Sequence, residues 1–540
     1  MRVITNVTKL LFYEKSNSLQ INGYAFIEEV HSDYAPNVRI SLKMTNKTET
    51  YIVPGVISCN DALTKKYGND QYNYDYSQFK ATLSLGTLNR NTCLNDGEYS
   101  VSILLTVGEH EVEYPLQCLD ETVEMIDSVI KLKNNVAQRI KTSYNQHEFI
   151  INVQTINEQT VKKMNDATLR RGRMPFIIQI VYNILCLFLR VRHNRVVFIS
   201  DSRDHLSGNF EFIHEELLRR NQYDIKYVLK KRIDEKKSIY DYGKLLYYMA
   251  SSQYIVLDDF YPFIYKFNIR KEVEVIQLWH ATGAFKTFGF SRFGKKGGPT
   301  LKSRNHKDYT KAIVSSEAIR RHYAEAFGIS VESVISTGIP RTDIFFDDAY
   351  KTSVTTSLYE RYPQLKNKKV ILFAPTFRGA GQKTAHYDFK HLNLEALRNK
   401  LQDEYILVVK VHPFVKKVPD FSQYGDFVLD LSHEREINDL LFIADVLITD
   451  YSSVCFEFAL LNKPMIFFAY DLEQYIASRD FYYPFKSFVP GPIVRTTEEL
   501  VTVIETESFE MHKLAAFRTK FFDEVDGQSS RRVVDQLFNK

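Results

Sequence analysis

Cysteine, proline and long apolar runs are all scarce in this sequence of 540 residues. The five cysteines are unclustered and form no CxxC pair, which excludes a disulfide framework and a thiolate metal site and favours a reducing compartment. The N-terminus has no apolar run long enough for a secretory signal. We therefore expect a protein that works in the cytoplasm.

An excess of charge of one sign is lacking as well. The 70 Lys and Arg residues against 66 Asp and Glu residues leave a net charge of +4, which excludes a surface devoted to nucleic acid. The 15 prolines and the hydrophobic content of 44% exclude a disordered or fibrous chain. The length predicts three or four structural units of roughly 150 residues each.

Residues 1–160 form a β-rich N-terminal domain by their pattern. Short alternations of Val, Ile, Tyr and Thr, as in SLQINGYAFIEEV and YSVSILLTV, predict an antiparallel β-sandwich. The pattern also predicts a helix over 121–142 and one more strand over 148–153. Because no cluster of reactive side chains occurs in this domain, we expect it to serve binding or spacing.

Residues 161–195 have the most unusual composition in the chain. The apolar stretch 175–189 spans 15 residues, too few for the ~20 of a membrane-spanning helix. Gln179 and Asn183 fall on one helical face, and basic clusters flank both ends, which is typical of a helix in a membrane interface. A buried core helix with basic ends is the alternative. The basic residues are Arg170, Arg171, Arg173, Arg190, Arg192 and Arg195.

From Arg195 onward, short apolar runs alternate with loops and helical stretches, as in parallel α/β sheets. The rhythm restarts after Tyr350. We therefore predict two doubly wound, Rossmann-type lobes, residues 196–350 and 351–540, that face each other across a cleft. In such sheets ligands bind beyond the carboxyl ends of the strands, so polar residues after each apolar run are the candidates for a site.

The motif QLWHATGAFKTFGF places His280 directly after a predicted strand. An imidazole at that position is suited to act as a general base for a hydroxyl nucleophile. Gly283 allows close backbone approach, and Lys286 adds to a basic rim, which together suit a phosphorylated substrate. The alternative is a histidine that only caps the strand or packs in the core.

The motif VVKVHPF contains a second candidate pair, Lys410 and His412. The two side chains alternate to the same side of a predicted strand, where they are able to contact a diphosphate and neutralise charge on a leaving group. Ordinary polar residues at a strand end are the alternative.

The motif VLITDYSSVCFEF combines a strand end with the start of a helix. Thr449 and Asp450 end the strand, and Ser452 and Ser453 lie where hydroxyl and backbone N–H groups form a phosphate cradle. Glu457, one turn inside the helix, is within reach of a ribose diol. A simple helix cap with a solvated glutamate is the alternative.

Further candidates lie after other strands. Arg378 in APTFRG suits bidentate phosphate contact, and Arg341 lies in TGIPRTD. Asp258 and Asp259 follow a strand and are a candidate for metal binding, but adjacent residues on an extended chain point apart, so we favour a helix cap. No HExxH, Walker A or GxSxG element occurs, and we expect neither a metal nor another cofactor.

The motifs QLWHATGAFK, TGIPRTD, ILFAPTFRG, KVHPF and LITDYSSVCFEFALLNKPMIFF resemble, in this order, those of the CDP-glycerol glycerophosphotransferase family. The resemblance covers residues 196–540. SDSRDHLSGNFE, FKTFGFSRFGKKGGP and FAPTFRGAGQKTAHY are most similar to the ribitol-phosphate polymerases of wall teichoic acid. WHATG has Ala281 where many relatives have glycine.

The resemblance implies a GT-B architecture and a peripheral enzyme on the cytoplasmic face of the cell membrane. It implies that His280 is the base, that His412 lies near the diphosphate, and that Ser452, Ser453 and Glu457 hold the nucleotide. The expected reaction transfers ribitol phosphate from CDP-ribitol to the terminal hydroxyl of a lipid-linked (undecaprenyl-diphosphate) teichoic acid precursor and releases CMP.

Several alternatives stay open in the sequence. CDP-glycerol is a second candidate donor, and a sugar transferase or an inactive membrane scaffold fits the fold class alone. The sequence leaves open whether the enzyme primes or polymerises, how polymer length is controlled, and whether it forms a homo-oligomer.

Overall fold

A computed structural model gives the fold. It describes residues 2–13, 16–68, 71–85, 88, 94–119, 123–131, 137–145, 148–156, 173–231, 237–293, 298–300, 303–379, 384–434 and 436–538, and for 173–177 and 477–478 the backbone alone. The chain divides into two compact units. The first comprises Met1–His280, Thr287–Thr337 and Arg531–Lys540, and the second comprises Ala281–Lys286 and Gly338–Ser530.

Antiparallel strands form the N-terminal part of the first unit. These are β1 (Val3–Tyr13), β2 (Ser18–Ile27), β3 (Val38–Thr45), β4 (Thr50–Ser58), β5 (Gln78–Ser84), β6 (Gly97–Val107), β7 (His110–Pro115), β8 (Asp127–Lys131), β9 (Ala137–Asn145) and β10 (Glu148–Ile156), with helix α1 (Asp61–Tyr67) after β4. They form one sheet in the order β1-β2-β5-β4-β3-β6-β10-β9-β8, and β7 pairs with β6. Along β6 buried side chains alternate with more exposed ones, the period expected when one face of a sheet covers a core.

The helix predicted over 121–142 is wrong. The described residues of that stretch contain β8 and β9, and β9 pairs along its whole length with β10. Pairing with neighbouring strands and burial against the core outweigh a local helical preference.

The rest of the first unit is a parallel α/β layer. Its strands are β11 (Arg192–Ser200), β12 (Asp224–Leu229), β13 (Ser252–Leu257), β14 (Glu274–Gln277), β15 (Lys311–Val314) and β16 (Val334–Ser336), in the order β12-β11-β13-β14-β15-β16. Its helices are α2 (Arg173–Phe188), α3 (Asn209–Arg220), α4 (Ile239–Ser251) and α5 (Arg320–Phe327). Every residue of β13 is buried, as its apolar run predicts for a parallel strand.

The second unit contains another parallel sheet. Its strands are β17 (Lys369–Phe373), β18 (Tyr405–Val409), β19 (Val428–Asp430), β20 (Val446–Thr449), β21 (Met465–Phe468) and β22 (Ile493–Val494), in the order β19-β18-β17-β20-β21-β22. The helices that follow β16 in the chain are α6 (Asp348–Arg361), α7 (Leu394–Leu401), α8 (Ile437–Ile443), α9 (Val454–Leu460), α10 (Leu472–Ser478), α11 (Phe485–Phe488), α12 (Thr497–Glu505), α13 (Met511–Phe521) and α14 (Ser529–Leu537). The α/β class is therefore confirmed.

The C-terminal helix does not stay with the sheet that precedes it. From Arg531 onward α14 belongs to the first unit, where Arg220 pairs with Asp535 at 2.6 Å and the Tyr254 hydroxyl donates to the Phe538 carbonyl at 2.8 Å. The sequence pattern assigned these last residues to the second lobe, because a helix alone does not reveal which sheet it covers.

Candidate functional site

His280 lies at the carboxyl end of β14, on a turn with unusual backbone geometry. The preceding residue, Trp279, has a φ of +55°, a conformation that side chains other than glycine adopt rarely. The Asn209 amide donates to the Trp279 carbonyl at 2.6 Å, and the Trp279 N–H donates to the Gln277 side chain at 2.8 Å. These hydrogen bonds hold the strained turn that carries His280, as is common at functional sites.

A carboxylate orients the His280 ring. Nδ1 of His280 lies 3.3 Å from Oδ1 of Asp259, which follows β13, the strand next to β14. Burial raises the pKa of Asp259, but the His280 ring, together with hydrogen bonds from the Phe260 N–H and Ser202, outweighs burial and holds that pKa below its usual value. With the proton on Nδ1, the lone pair of the ring lies on Nε2, and half of the His280 side chain is exposed. The pair is therefore able to act as a general base.

The neighbouring Asp258 has a different role. It is buried and pairs with Arg203 at 3.0 Å, and burial together with the Asp259 charge raises its pKa to about 7. Neither aspartate caps a helix, so that interpretation is wrong. Across the described residues, no group of three or more His, Cys, Asp or Glu side chains has the arrangement of a metal site.

In the second unit, the segment Ala281–Lys286 packs against α9. The Thr282 hydroxyl donates to Oε1 of Glu457 at 2.7 Å. Gly283 has a φ of +68°, and a Cβ there would lie 2.2 Å from the Phe456 ring, so only glycine fits. This contact is the physical reason for the glycine that the motif contains.

Glu457 is buried rather than solvated. Its Oε1 accepts from Thr282 and from Arg341, while the buried Oε2 has no hydrogen-bond partner among the described residues. The hydroxyl of Thr376, which follows β17, is likewise buried without such a partner in the described chain. Buried polar atoms are nearly always paired, so these two oxygens are candidate positions for ligand hydrogen bonds.

Arg378 is occupied by protein carboxylates. Its guanidinium binds Asp471 through two hydrogen bonds of 2.6 and 2.8 Å and Asp450 through one of 2.9 Å. Burial lowers the pKa of Arg378, but the two carboxylates outweigh burial and raise this pKa above its usual value. Tyrosine rings, among them Tyr451 and Tyr475, surround the guanidinium. Arg378 thus organises the ends of β17, β20 and β21, and a phosphate would have to compete with two carboxylates for it.

Lys286 carries a cation near the same residues. Its ammonium lies 5.4 Å from the centre of the Tyr475 ring, and no described residue accepts a hydrogen bond from it. Burial lowers its pKa to about 8, against the effect of Asp450. Of the cations predicted from the sequence for this unit, Lys286 is therefore the one that stays available to a ligand.

Lys410 and His412 do not act as the predicted pair. β18 ends at Val409, and the Lys410 ammonium turns to the carbonyls of Ser432, at 3.0 Å, and Glu434. The expectation of a cation beside the imidazole was based on strand alternation, which does not continue beyond the strand end. Lys410 stabilises the turn after β19 instead.

His412 is a neutral imidazole. Its Nδ1 accepts the Phe414 N–H at 3.1 Å, so the ring proton lies on Nε2. Burial, with the nearby charges of Lys286 and Lys410, lowers its pKa to about 4. The ring also packs against Phe377, with ring centres 4.8 Å apart. His412 therefore offers an N–H donor at neutral pH, not a positive charge.

The serines lie where the motif predicts. α9 begins at Val454, directly after Ser453, and the side chains of Ser452 and Ser453 are partly exposed. Thr449 and Asp450 are buried: the Thr449 hydroxyl donates to the Ala374 carbonyl at 2.7 Å, and Asp450 accepts from backbone and from Arg378. These two residues shape the strand end, whereas the side chains of the two serines stay partly exposed.

The predicted membrane segment is partly described. Arg170 and Arg171 lie outside the described residues, and Arg173 starts α2. Arg190 and Arg192 are exposed, whereas Arg195 is buried and pairs with Asp224 at 2.8 Å, so Arg195 is not available to a membrane. In the described chain, no helix combines the length and the apolar character needed to cross a bilayer.

The sequence pattern did not predict that Asp259, Asn209 and Gln277 contact the turn that carries His280. The contact of Asp259 with His280 was predictable from the sequence. Both residues directly follow apolar strands, and the carboxyl ends of neighbouring parallel strands lie at the same edge of a sheet. The contacts of Asn209 and Gln277 were not predictable, since they depend on how a loop folds back on itself.

A transferase of phosphoryl groups needs a base for a hydroxyl nucleophile and donors for a phosphorylated ligand, and residues of both kinds lie at the carboxyl ends of parallel strands. Residues 181–539 match the family model described as CDP-Glycerol:Poly(glycerophosphate) glycerophosphotransferase. The chain belongs to this family and is an enzyme, a polyol-phosphate transferase.

Named relatives are consistent with this assignment. The chain is 41% identical to the teichoic acid poly(ribitol-phosphate) polymerase of Bacillus spizizenii, over 96% of this chain and 87% of the relative. It is 48% identical to the teichoic acid ribitol-phosphate polymerase TarK of Staphylococcus aureus, over 68% of this chain and 72% of the relative. The solved wall teichoic acid polymerase TagF shares the fold, with a TM-score of 0.56 at 23% identity over 70% of this chain and 95% of that one.

Proposed function

We propose that this enzyme extends a teichoic acid by transferring ribitol phosphate from CDP-ribitol to the terminal hydroxyl of a lipid-linked polyol-phosphate acceptor. The observation that carries the proposal is the half-exposed His280 imidazole, held at 3.3 Å by Asp259 in a chain 41% identical to a poly(ribitol-phosphate) polymerase.

In the proposed reaction, Nε2 of His280 takes the proton of the acceptor hydroxyl as its oxygen attacks the β-phosphorus of the donor. The bond from that phosphorus to the bridging oxygen breaks, and CMP leaves with the electron pair. Asp259 stabilises the imidazolium that forms, in the manner of other carboxylate–histidine pairs. The product is a phosphodiester one unit longer.

The donor is held by residues of the second unit in this proposal. The Lys286 ammonium and the Nε2–H of His412 bind phosphate oxygens and stabilise the charge on the leaving CMP. Ser452 and Ser453 add hydroxyl donors. Oε2 of Glu457, which lacks a partner among the residues that the structure describes, accepts a hydrogen bond from a hydroxyl of the donor substrate, and this bond would relieve the cost of its burial.

Replacing His280 with alanine tests the proposed base. We expect transfer from CDP-ribitol to a purified acceptor to fall by about 100-fold or more, because the hydroxyl loses its proton acceptor. His512→Ala, at an exposed histidine of α13, is the matched control. Near-normal turnover by a folded His280→Ala variant would remove His280 from the mechanism.

CDP-glycerol is the second candidate donor, because the family description names a glycerophosphotransferase. Relatives named as glycerol-phosphate enzymes are 31–35% identical to this chain, below the 40–48% of the ribitol-phosphate enzymes, which favours ribitol. Parallel assays of one preparation with CDP-ribitol and CDP-glycerol decide between them. A higher kcat/KM with CDP-glycerol would overturn the choice of donor but not the mechanism.

We also propose that the two parallel sheets are the lobes of a GT-B-like enzyme and that the antiparallel sheet is a β-sandwich. Both sheets have a doubly wound strand order, which supports the first assignment. For the second assignment, β1 is also hydrogen-bonded to the segment that follows β7: the Val7 N–H donates to the Gln117 carbonyl at 2.8 Å. This contact between the first strand and a distant segment favours two layers around one core.

We propose that α2 lies on the cytoplasmic face of the cell membrane. Tyr182 is buried on one face of α2 and packs against Phe267, whereas the other face exposes apolar side chains. Leu187 and Phe188 are each 81% exposed, and Arg190 is exposed beside them. Burying such a face among headgroups stabilises interfacial binding, and arginines add attraction to anionic lipid.

The variant Leu187→Ser/Phe188→Ser tests this placement. We expect it to lose most of its binding to vesicles that contain anionic lipid, measured by co-sedimentation. Leu218→Ser, at a residue of α3 that is 56% exposed, is the control for losing an exposed leucine. Equal vesicle binding by both variants would contradict the interfacial role.

A further inference from the structure

A buried carboxylate of α5 is one of the contacts between this helix and the N-terminal β-domain, residues 3–156, of the same unit; Arg321 of α5 also pairs with Glu111 of β7. Glu325 of α5 is only 3% exposed. Arg39 donates to its Oε1 at 2.8 Å, and the Ser41 hydroxyl donates to its Oε2 at 2.6 Å. Both donors lie on β3, so the β-domain satisfies both oxygens of a buried group in the α/β layer. A buried charge with such partners fixes the position of the element that carries it.

The same helix supports the turn that carries His280. Phe327, at the end of α5, packs against Trp279 with ring centres 5.3 Å apart and against Phe288 at the same distance. Phe288 stacks on Trp279 at 4.9 Å. Trp279 is the residue with positive φ directly before His280. The aromatic cluster therefore connects α5 to the strained turn.

The chain after Phe288 lies directly on α5. Gly289 has a φ of +51°, and a Cβ there would lie 2.0 Å from the Ala326 carbonyl oxygen. The next residue, Phe290, lines a pocket together with Ile52 and Val53 of β4 and with Glu325. The β-domain is thus connected to the loop that follows His280 in two ways. Residues of β3 bind α5, which packs against this loop, and residues of β4 line a pocket with Phe290 of the loop itself.

We propose that Glu325 is a positioning residue for His280, through which the β-domain aligns the catalytic base. This inference rests on the proposed role of His280 and adds to it that the β-domain is required in the same chain for the chemical step. A base displaced by about 1 Å loses on the order of 100-fold in rate, so a distant contact that sets its position affects turnover.

The test changes only the β-domain side of the contact. In the full-length Arg39→Ala/Ser41→Ala variant we expect kcat to fall about 10- to 100-fold while KM for the nucleotide donor stays within about twofold. Lys43→Ala is the matched control, because Lys43 lies on the same strand and pairs with Glu113 inside the β-domain. Thermal unfolding identifies any variant that does not fold, and Arg39→Lys with Ser41 intact is the milder replacement.

A second measurement is independent of activity. Nitrogen chemical shifts of the His280 ring, assigned by their absence in His280→Gln, report which ring nitrogen carries the proton. We expect the proton on Nδ1 in the wild type and a mixture of tautomers in the Arg39→Ala/Ser41→Ala variant. A wild-type enzyme inactive with every CDP-polyol would contradict the proposed function alone. An unchanged tautomer and kcat in a folded variant would overturn the positioning role.

Discussion

Single hydrogen bonds decide the chemistry of both histidines. Asp259 lies at Nδ1 of His280 and leaves Nε2 of that ring as the acceptor, whereas the Phe414 N–H occupies Nδ1 of His412 and makes Nε2 of this ring a donor. Two imidazoles of the same intrinsic basicity are thereby assigned opposite roles, one as a base and the other as a hydrogen-bond donor.

Replacing Asp259 with asparagine is expected to lower kcat by about 100- to 10,000-fold with little change in KM. The amide keeps the volume of the side chain but allows the wrong tautomer of His280. Steady-state kinetics measure the effect. Asp204→Asn is the matched control, because Asp204 pairs with His205 at 2.7 Å on the surface. Similar kinetics in the two variants would contradict the role of Asp259.

The lowered pKa of His412 predicts a pH dependence of stability. The unfolded chain takes up a proton near pH 6.5, but the folded protein takes one up only near pH 4, so stability is lost as the pH falls between these values. Between pH 7 and pH 5 this loss is about 1–2 kcal/mol. His412→Gln should lose that much less stability over this range than the wild type, as measured by denaturant unfolding of the second unit. Equal losses would refute the lowered pKa, and His512→Gln is the control.

At the scale of elements, the segment Ala281–Lys286 depends on a close contact with α9. Thr282 binds Glu457, and the absent side chain of Gly283 makes room for the Phe456 ring. The hydrogen bond and the ring contact are adjacent, so the segment has little freedom to shift along the helix. Its position determines where Lys286 lies among Asp450, Tyr475 and His412.

Gly283→Ala is expected to destabilise the second unit by about 2–4 kcal/mol, since the new methyl group meets an aromatic ring and the backbone has positive φ. Gly108→Ala separates the two causes. Gly108 has a φ of +60°, but no atom of a described residue lies within 4 Å of the point where a Cβ would be, so this variant should cost about 1 kcal/mol. Denaturant unfolding measures both. Equal costs would exclude the contact with Phe456.

At the scale of the whole molecule, the chain returns to its first unit at its end. Val533 and Val534 of α14 are fully buried, and Asp535 pairs with Arg220 of α3. The stability of the unit that carries His280 therefore depends on residues about 250 positions later in the sequence.

Val534→Asp is expected to destabilise the first unit by more than about 3 kcal/mol, because it buries an unpaired charge. Hydrogen exchange should become faster in α3 and β12. Gln536→Asp, at an exposed position of the same helix, is the control and should leave exchange unchanged. Unchanged exchange in α3 for Val534→Asp would show that the C-terminal contact contributes no stability.

Much of the fold is predictable from local pattern. Apolar runs such as VVFIS and YILVV become buried parallel strands, because a strand covered on both faces requires such a run. The helix predicted over 121–142 failed because strand pairing, which a local pattern does not contain, decided the outcome. The same holds for the candidate site. His280 and the two serines lie directly after their strands, as the local pattern predicts, but the pattern did not predict the partners of Lys410 and Arg378, which follow other strands.

The sequence by itself determined the α/β class, the family and the residues at the ends of strands, because hydrophobic periodicity and short motifs are local properties of the chain. Tertiary structure decided which of those residues remain available to a ligand. Arg378 and Lys410 are occupied by protein acceptors, no acceptor for the Lys286 ammonium occurs in the described part of the chain, and Asp259 lies at the His280 ring. Hydrogen bonds and desolvation depend on distances between residues far apart in the chain, and those distances exist only after folding.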